Sequence, residues 1–212
     1  MSMSKGILTV ISGFSGAGKG TLMRKLTRDY PNYALSVSMT TRAPREGEQE
    51  GRDYFFVDTD TFQERIRQGQ MLEYACYCGN YYGTPGDYVQ EQLEAGRDVI
   101  LEIEIQGALQ IRKLMPDCLL LFVTPPNAGE LRRRLEGRGT ESPEVIARRL
   151  ARAAEESEGI EAYDYIVIND DLGECVRQIH SMVQNARYTP ARQETLINEI
   201  RGELNSFSKG AE

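Results

Sequence analysis

The chain has 212 residues, 40% hydrophobic and 27% charged, with a formal net charge of −7, values that fit one soluble globular domain with an ample core. The acidic balance speaks against nonspecific binding to nucleic acid or to an anionic membrane, and no apolar run approaches the length of a membrane span or a signal-peptide core, so the expected setting is cytoplasmic. Four cysteines (Cys76, Cys78, Cys118, Cys175) lack zinc-ligand spacing, and the lone His180 sits in an amphipathic stretch, which leaves a histidine-based mechanism without support.

The apolar, β-branched run 7–11 predicts a buried strand, and Thr21 onward predicts a helix with Leu22 and Leu26 on one face. Between them, Gly13, four residues, Gly18 and Lys19 have the spacing of a P-loop, in which main-chain N–H groups, the helix N-terminus and a lysine converge on phosphates. Glycines at 13, 16, 18 and 20 are expected to supply the φ > 0 turns. Gly20 stands where a magnesium-ligating Ser or Thr is usual, and Thr21 is the nearest hydroxyl.

Strands are then expected at 34–38 and 53–57 with a loop over 39–51, a helix from Asp60 to Gly69, a strand over 71–77, a turn from Asn80, and a helix at 87–94. The run 98–105 predicts a central strand, with Glu102 and Glu104 at its end pointing to one side. Helices follow at 107–114, 127–135 and 142–157, the last with a Ser142 cap and Pro143 at its start. Strands are expected at 118–123 and 164–168, and helices at 172–187 and 190–207. Strands alternating with helices behind a P-loop predict a parallel α/β sheet with helices on both faces and the ligand at the carboxyl ends of the strands.

Two stretches are rich in arginine, of which the chain has 20 against 5 lysines. Arg42 and Arg45 lie three apart in a polar loop; on composition alone this fits a clamp for a second phosphate and a solvated loop equally well. Residues 132–152 hold Arg132, Arg133, Arg134, Arg138, Arg148, Arg149 and Arg152, a local basic charge suited to a lid over phosphoryl transfer.

Several motifs together resemble the guanylate kinase family: Ser36-x-Ser-x-Thr-Thr-Arg-x-Pro-Arg-x-Gly-Glu48, Gly51-x-Asp-Tyr-x-Phe56, Gly79-Asn-Tyr-Tyr-Gly-Thr84, Gln106-Gly107, Arg134-Leu-Glu-Gly-Arg138-Gly-Thr140 and Val167-Ile-Asn-Asp-Asp171. They run in order through nearly the whole chain, from about residue 6 to 187. The resemblance implies reversible transfer of the ATP γ-phosphoryl group to GMP, with Mg²⁺ carried by ATP and no direct metal ligand, although Thr21 and Glu102 would lie nearby. It implies a core over 5–33 and 96–187, an inserted GMP-binding lobe over 34–95, a lid over about 126–157 and a helical tail over 188–212.

By the same resemblance ATP would be held by Gly13, Phe14, Ser15, Gly16, Ala17, Gly18, Lys19, Gly20, Thr21 and Asn169. The GMP phosphate would be held by Arg42, Arg45, Tyr54 and Tyr82, with Glu48 and Glu104 also in the GMP set. Ser38 and Thr84 would face guanine O6 or N7. Glu73 would take the two donors of the guanine edge, a pairing adenine cannot offer; read without the family, Glu73 also fits a solvated strand position. Lys19, Arg134, Arg138 and Arg149 would be the catalytic cations. Asn169 would lie near adenine, or serve only as a turn residue opening a helix. Glu102 and Glu104 stand where the family usually has Asp, and Phe14 where a proline is common. The alternatives are a non-catalytic guanylate-kinase-like binding module, which typically loses the P-loop lysine and glycines kept here, and a P-loop kinase for another phosphorylated small molecule, which should lack Glu73, Ser38 and Thr84 as a set. Oligomeric state stays open, since the tail helix fits either subunit pairing or a cap on the core.

Overall fold

The computed structural model describes residues 5–77, 79–137 and 142–209; Cys78 and Arg138 lie outside them. Strand β1 (Leu8–Gly13) leads through the glycine loop into α1 (Lys19–Asp29) and β2 (Tyr33–Leu35). Then come β3 (Met39–Thr40), β4 (Phe55–Phe56), α2 (Thr59–Arg67), the antiparallel pair β5 (Met71–Tyr77) and β6 (Asn80–Pro85), and α3 (Gly86–Glu94). The second half runs β7 (Asp98–Glu102), α4 (Ile105–Leu114), β8 (Leu119–Thr124), α5 (Ala128–Glu136), α6 (Pro143–Ser157), β9 (Tyr165–Ile168), α7 (Leu172–Ala186) and α8 (Glu194–Lys209).

Five strands form a parallel sheet in the order β2-β7-β1-β8-β9. Because successive side chains leave a strand on opposite faces, Ile7 and Ile11 pack with Leu22, Met23 and Leu26 of α1 and with Val176, Ile179 and Val183 of α7. Leu8 and Val10 pack the other way, with Val89 and Leu93 of α3 and Ala108 and Ile111 of α4. Both faces are thus dry, which is why the central strands read as unbroken apolar runs. The chain connections diverge on either side of β1, and such a point opens a crevice at the carboxyl ends of the strands. There the glycine loop after β1 faces the residues that follow β7.

A second sheet, in the order β4-β3-β6-β5, occupies residues 39–85. The expected strand at 34–38 divides. Ala34 and Leu35 pair with β7, Ser36 N–H donates to Ile100 O, and the Ser38 carbonyl already accepts from Phe55 in the other sheet. Residues 36–38 therefore cross from one sheet to the other, and β3 lies where the polarity of 39–51 predicted only loop. The expected strand at 98–105 also stops early: β7 ends at Glu102, and Glu104 occupies the N-cap of α4 with φ −78° and ψ 165°. The two glutamates therefore do not share one strand face. Ser142 takes the extended N-cap backbone before Pro143 of α6, but its side chain makes no capping bond. The tail forms a 3-10 turn at Pro190–Arg192 before α8, whose Leu196, Ile200, Leu204 and Phe207 are exposed, so it does not cap the core. Among the described residues no helix is long and apolar enough to cross a membrane.

Candidate active site

The glycine loop is shaped by its backbone. Gly16 and Gly18 have φ of 96° and 90°, left-handed conformations that cost little only without a Cβ. At Gly13 the constraint is space, because a Cβ there would lie 2.1 Å from the Val123 carbonyl oxygen of β8. Gly20 differs from the expectation: it lies inside α1 with no positive φ, and a Cβ on it would meet nothing closer than Arg24 Nη1 at 3.7 Å. Gly18 is the N-cap of α1 and no side chain caps it, so the first N–H groups of that helix are directed at the cleft, where the helix end favours an anion. Lys19 Nζ donates to Gly13 O at 2.7 Å and Phe14 O at 3.3 Å, which folds the ammonium over the loop. Ser15 and Lys19 line the cavity above it, about 420 Å³, and Thr21 Oγ1 accepts from Arg24 Nη2 at 3.1 Å.

Asn169 is 6% exposed, and its side-chain Nδ2 donates to Ala17 O at 2.8 Å. The amide thus ties the end of β9 to the loop across 152 residues of sequence, a role that neither the adenine-side nor the turn reading contained. Its own carbonyl accepts from Arg134 Nη2 at 2.8 Å, while Arg134 Nε pairs with Glu130 at 2.6 Å. Arg149 Nη1 donates to Ser15 Oγ at 2.6 Å. Two of the expected lid cations therefore reach the loop region, and Arg138 lies outside the described residues. Helices α5 and α6 share a small core, Leu131 and Leu135 against Ala153.

Across the crevice a second cavity of about 250 Å³ is lined by Ser38, Tyr54, Glu73, Tyr82 and Gly107, and it shares Glu102, Ile103 and Glu104 with the first. Glu73 is 5% exposed. Burial raises its carboxyl pKa, the Thr84 hydrogen bonds oppose that, and the charge of Glu104 adds to it. Thr84 Oγ1 donates to Glu73 Oε1 at 2.7 Å from a fully buried position. A buried carboxylate requires donors, and the Thr84 hydroxyl, expected to face the base, is one for Glu73. Gly107 supplies the space, since a Cβ there would fall 2.7 Å from Glu73 Oε2. Gln110, one turn further along α4, brackets the Tyr74 backbone: its Oε1 accepts from Tyr74 N–H at 3.3 Å and its Nε2 donates to Tyr74 O at 3.2 Å. The Gln106-Gly107 pair was a signal in the sequence; nothing in it announced Gln110.

Arg42 makes a fork-to-fork pair with Glu48, both bonds 2.9 Å, and its guanidinium carbon lies 5.4 Å from the Tyr54 ring centre. Glu48 also accepts from Arg45 N–H at 2.7 Å. Glu48 thus shapes the arginine loop and does not line the cavity beside Glu73. Arg45 lines the cavity that holds Lys19. Tyr54 and Tyr82 meet edge to face with centroids 6.1 Å apart. Glu102 lies open on the cleft floor yet flanked by protein. Desolvation there raises its pKa, with the charges of Lys19 and Arg24 opposing the rise. Among the described residues no group of three or more His, Cys, Asp or Glu is placed to hold a metal.

This arrangement can grip two anions at once beside a buried carboxylate that selects a donor-bearing base. Comparison with known proteins agrees with that chemistry. The sequence profile of the family described as guanylate kinase matches residues 5–186. A guanylate kinase of Listeria innocua is 50% identical over 85% of this chain and 88% of its own length, and one of Lactococcus lactis is 51% identical over 87% and 90%. The crystal structure of guanylate kinase from Anaplasma phagocytophilum superposes with a TM-score of 0.73 at 34% identity, covering 91% of this chain and 92% of that one.

Proposed function

Since the chain belongs to the guanylate kinase family and is an ATP:GMP phosphotransferase, we propose how its own residues divide that reaction. The ATP phosphates lie against the loop Gly13 to Thr21 and are met by main-chain N–H groups and Lys19, with Asn169 holding the loop in shape from behind. GMP lies in the lobe over 34–95. Arg42, Arg45, Tyr54 and Tyr82 take its phosphate, Ser38 meets the base, and Glu73 accepts from guanine N1–H and N2–H₂. Glu48 aims Arg42, and Thr84 keeps Glu73 in place. A GMP phosphate oxygen attacks the γ-phosphorus in line; as that P–O bond forms, the bond to the bridging oxygen breaks and ADP leaves with its electrons. Nothing needs to act as a base, since positioning and charge stabilisation carry such transfers. Lys19, Arg134 and Arg149 supply the cationic surround, together with Arg138.

The lid over about 126–157 excludes water that would otherwise compete with GMP, on a core over 5–33 and 96–187 followed by the tail at 188–212. Glu102, which lines the cavity of Lys19, and the Thr21 hydroxyl are a sparse set of oxygen donors, suited to a magnesium ion that arrives with ATP and keeps most of its waters. Bound there, magnesium would offset phosphate charge. The reaction is placed in the cytoplasm, in keeping with the acidic, span-free sequence.

The observation that carries the reading is a buried carboxylate, Glu73, held by Thr84 in a cavity that shares a wall with the cavity of Lys19. The test is ADP release from ATP and Mg²⁺ with GMP, AMP, CMP, UMP or dTMP as acceptor, beside Glu73→Gln. GMP should be the favoured acceptor of the native protein, and the preference should shrink in the variant. Equal turnover of AMP, or none of GMP, would overturn it.

A further inference from the structure

Arg152 of α6 joins the lid helix, the start of α4 and the small sheet in a single set of contacts. Its Nη2 donates to Glu104 Oε2 at 2.6 Å, its Nε donates to Glu156 Oε1 at 2.9 Å, and its guanidinium carbon lies 4.9 Å from the centre of the Tyr77 ring at the end of β5. Glu156 is on the same helix one turn on, so it fixes which way the arginine fork points. Tyr77 and Glu104 both line the base cavity and the loop cavity. Glu104 has no capping bond to orient it, although it stands at the N-cap of α4. Glu104 and Glu73 line the same cavity, and the Glu104 charge adds to the rise that burial gives the Glu73 carboxyl pKa. A guanidinium turned on Glu104 offsets that repulsion and holds its carboxylate at a defined place on the cavity wall.

Resting on the ATP:GMP reading above, we propose that Arg152 is a positioning residue that sets Glu104 and Tyr77 as the outer wall of the GMP pocket, so that the pocket is complete only when α6 lies against it. Arg152 also lines the cavity of Lys19 and Arg149, but its fork is taken up by Glu104 and Glu156. Its effect belongs to GMP binding and to discrimination at the guanine edge, whereas Lys19, Arg134 and Arg149 act at the phosphates. The length of Glu104 matters, because an aspartate is one methylene shorter, about 1.5 Å of reach, and would fall short of the fork.

The test compares native protein with Arg152→Gln, Arg152→Lys, Glu104→Asp and the double variant Arg152→Gln/Glu104→Asp. Steady-state rates and direct calorimetric binding of GMP, ATP and IMP, which lacks the guanine N2 amino group, are measured for each. Arg152→Gln and Glu104→Asp should each raise the GMP KM and Kd about 5- to 20-fold, leave kcat and the ATP KM within about twofold, and narrow the GMP/IMP ratio; the double variant should be little worse than either single one. Arg152→Lys keeps the charge without the fork and should fall near Arg152→Gln. Effects that add in the double variant, or a loss confined to kcat or ATP, would overturn the proposal. Native protein that binds and phosphorylates GMP while Arg152→Gln matches it sinks this inference alone. Native protein that does neither sinks the phosphotransferase reading, and this inference with it.

Discussion

The loop side of the cleft presents main-chain amides around Gly16, Gly18 and the start of α1, whereas the lobe side presents side chains from β5, β6 and the arginine loop. The first surface is written in consecutive residues and braced by a single remote amide, Asn169 on Ala17 O. The second is assembled from pairs such as Thr84 with Glu73 and Arg42 with Glu48. Backbone geometry cannot be altered one functional group at a time, so the loop suits a generic task, holding a polyphosphate. Side chains can, so the lobe suits a selective one, telling guanine from adenine.

Substitutions can break this contrast. The largest effect is expected on the loop side from Lys19→Met, which should lower kcat by on the order of 10³-fold while leaving GMP binding in place, read by initial rates and calorimetry. Next is Glu73→Gln on the lobe side, with a fall of about 10²-fold in kcat/KM for GMP and little change for AMP; equal losses for both acceptors would show that the carboxylate is structural. Third, Gly18→Ala should cost ~1–3 kcal/mol, because φ is 90° there and the added Cβ would sit 2.6 Å from Asn169 Nδ2. Chemical denaturation measures it, and a cost close to zero would mean that the loop yields. Asn169→Ala should lower Tm by ~2–8 °C, since it leaves Ala17 O without its donor.

Acid–base linkage sharpens the contrast with a smaller effect. Burial raises the pKa of Glu73, so between its ordinary and its raised value the folded protein holds a proton that the unfolded chain has released. Stability from this group is therefore greatest at low pH and declines as pH rises through that window. Denaturation curves collected across pH should show Glu73→Gln gaining on the native protein as pH rises through that window and losing the advantage in acid.

The same contrast explains what could be read in advance. Gly13 to Lys19 was legible because its chemistry is local, and the parallel sheet because doubly covered strands are apolar throughout. The alternation in Val99-Ile-Leu-Glu-Ile-Glu-Ile105 misled, since the period-2 pattern continues past the end of β7 into the turn that starts α4. β3 was missed because a two-residue strand is set by partners, here Gly83 and Phe55, and not by its own residues. The bond from Thr84 to Glu73 is not legible in the sequence, because which way a hydroxyl turns depends on a neighbour 11 positions away. As one of seven arginines between 132 and 152, Arg152 fits a solvated face or a salt bridge, and the sequence does not single out its partner Glu104, 48 positions off.

Phe14 touches all three apolar clusters: the two faces of the main sheet and the small core of α5 and α6. Its ring also meets Phe122 edge to face at 5.0 Å. The aromatic ring thus joins the nucleotide loop to the helices α5 and α6. Trimming it, as in Phe14→Leu, would loosen both together, so a slower enzyme with that change would reveal how tightly the seating of α5 and α6 is geared to the shape of the loop.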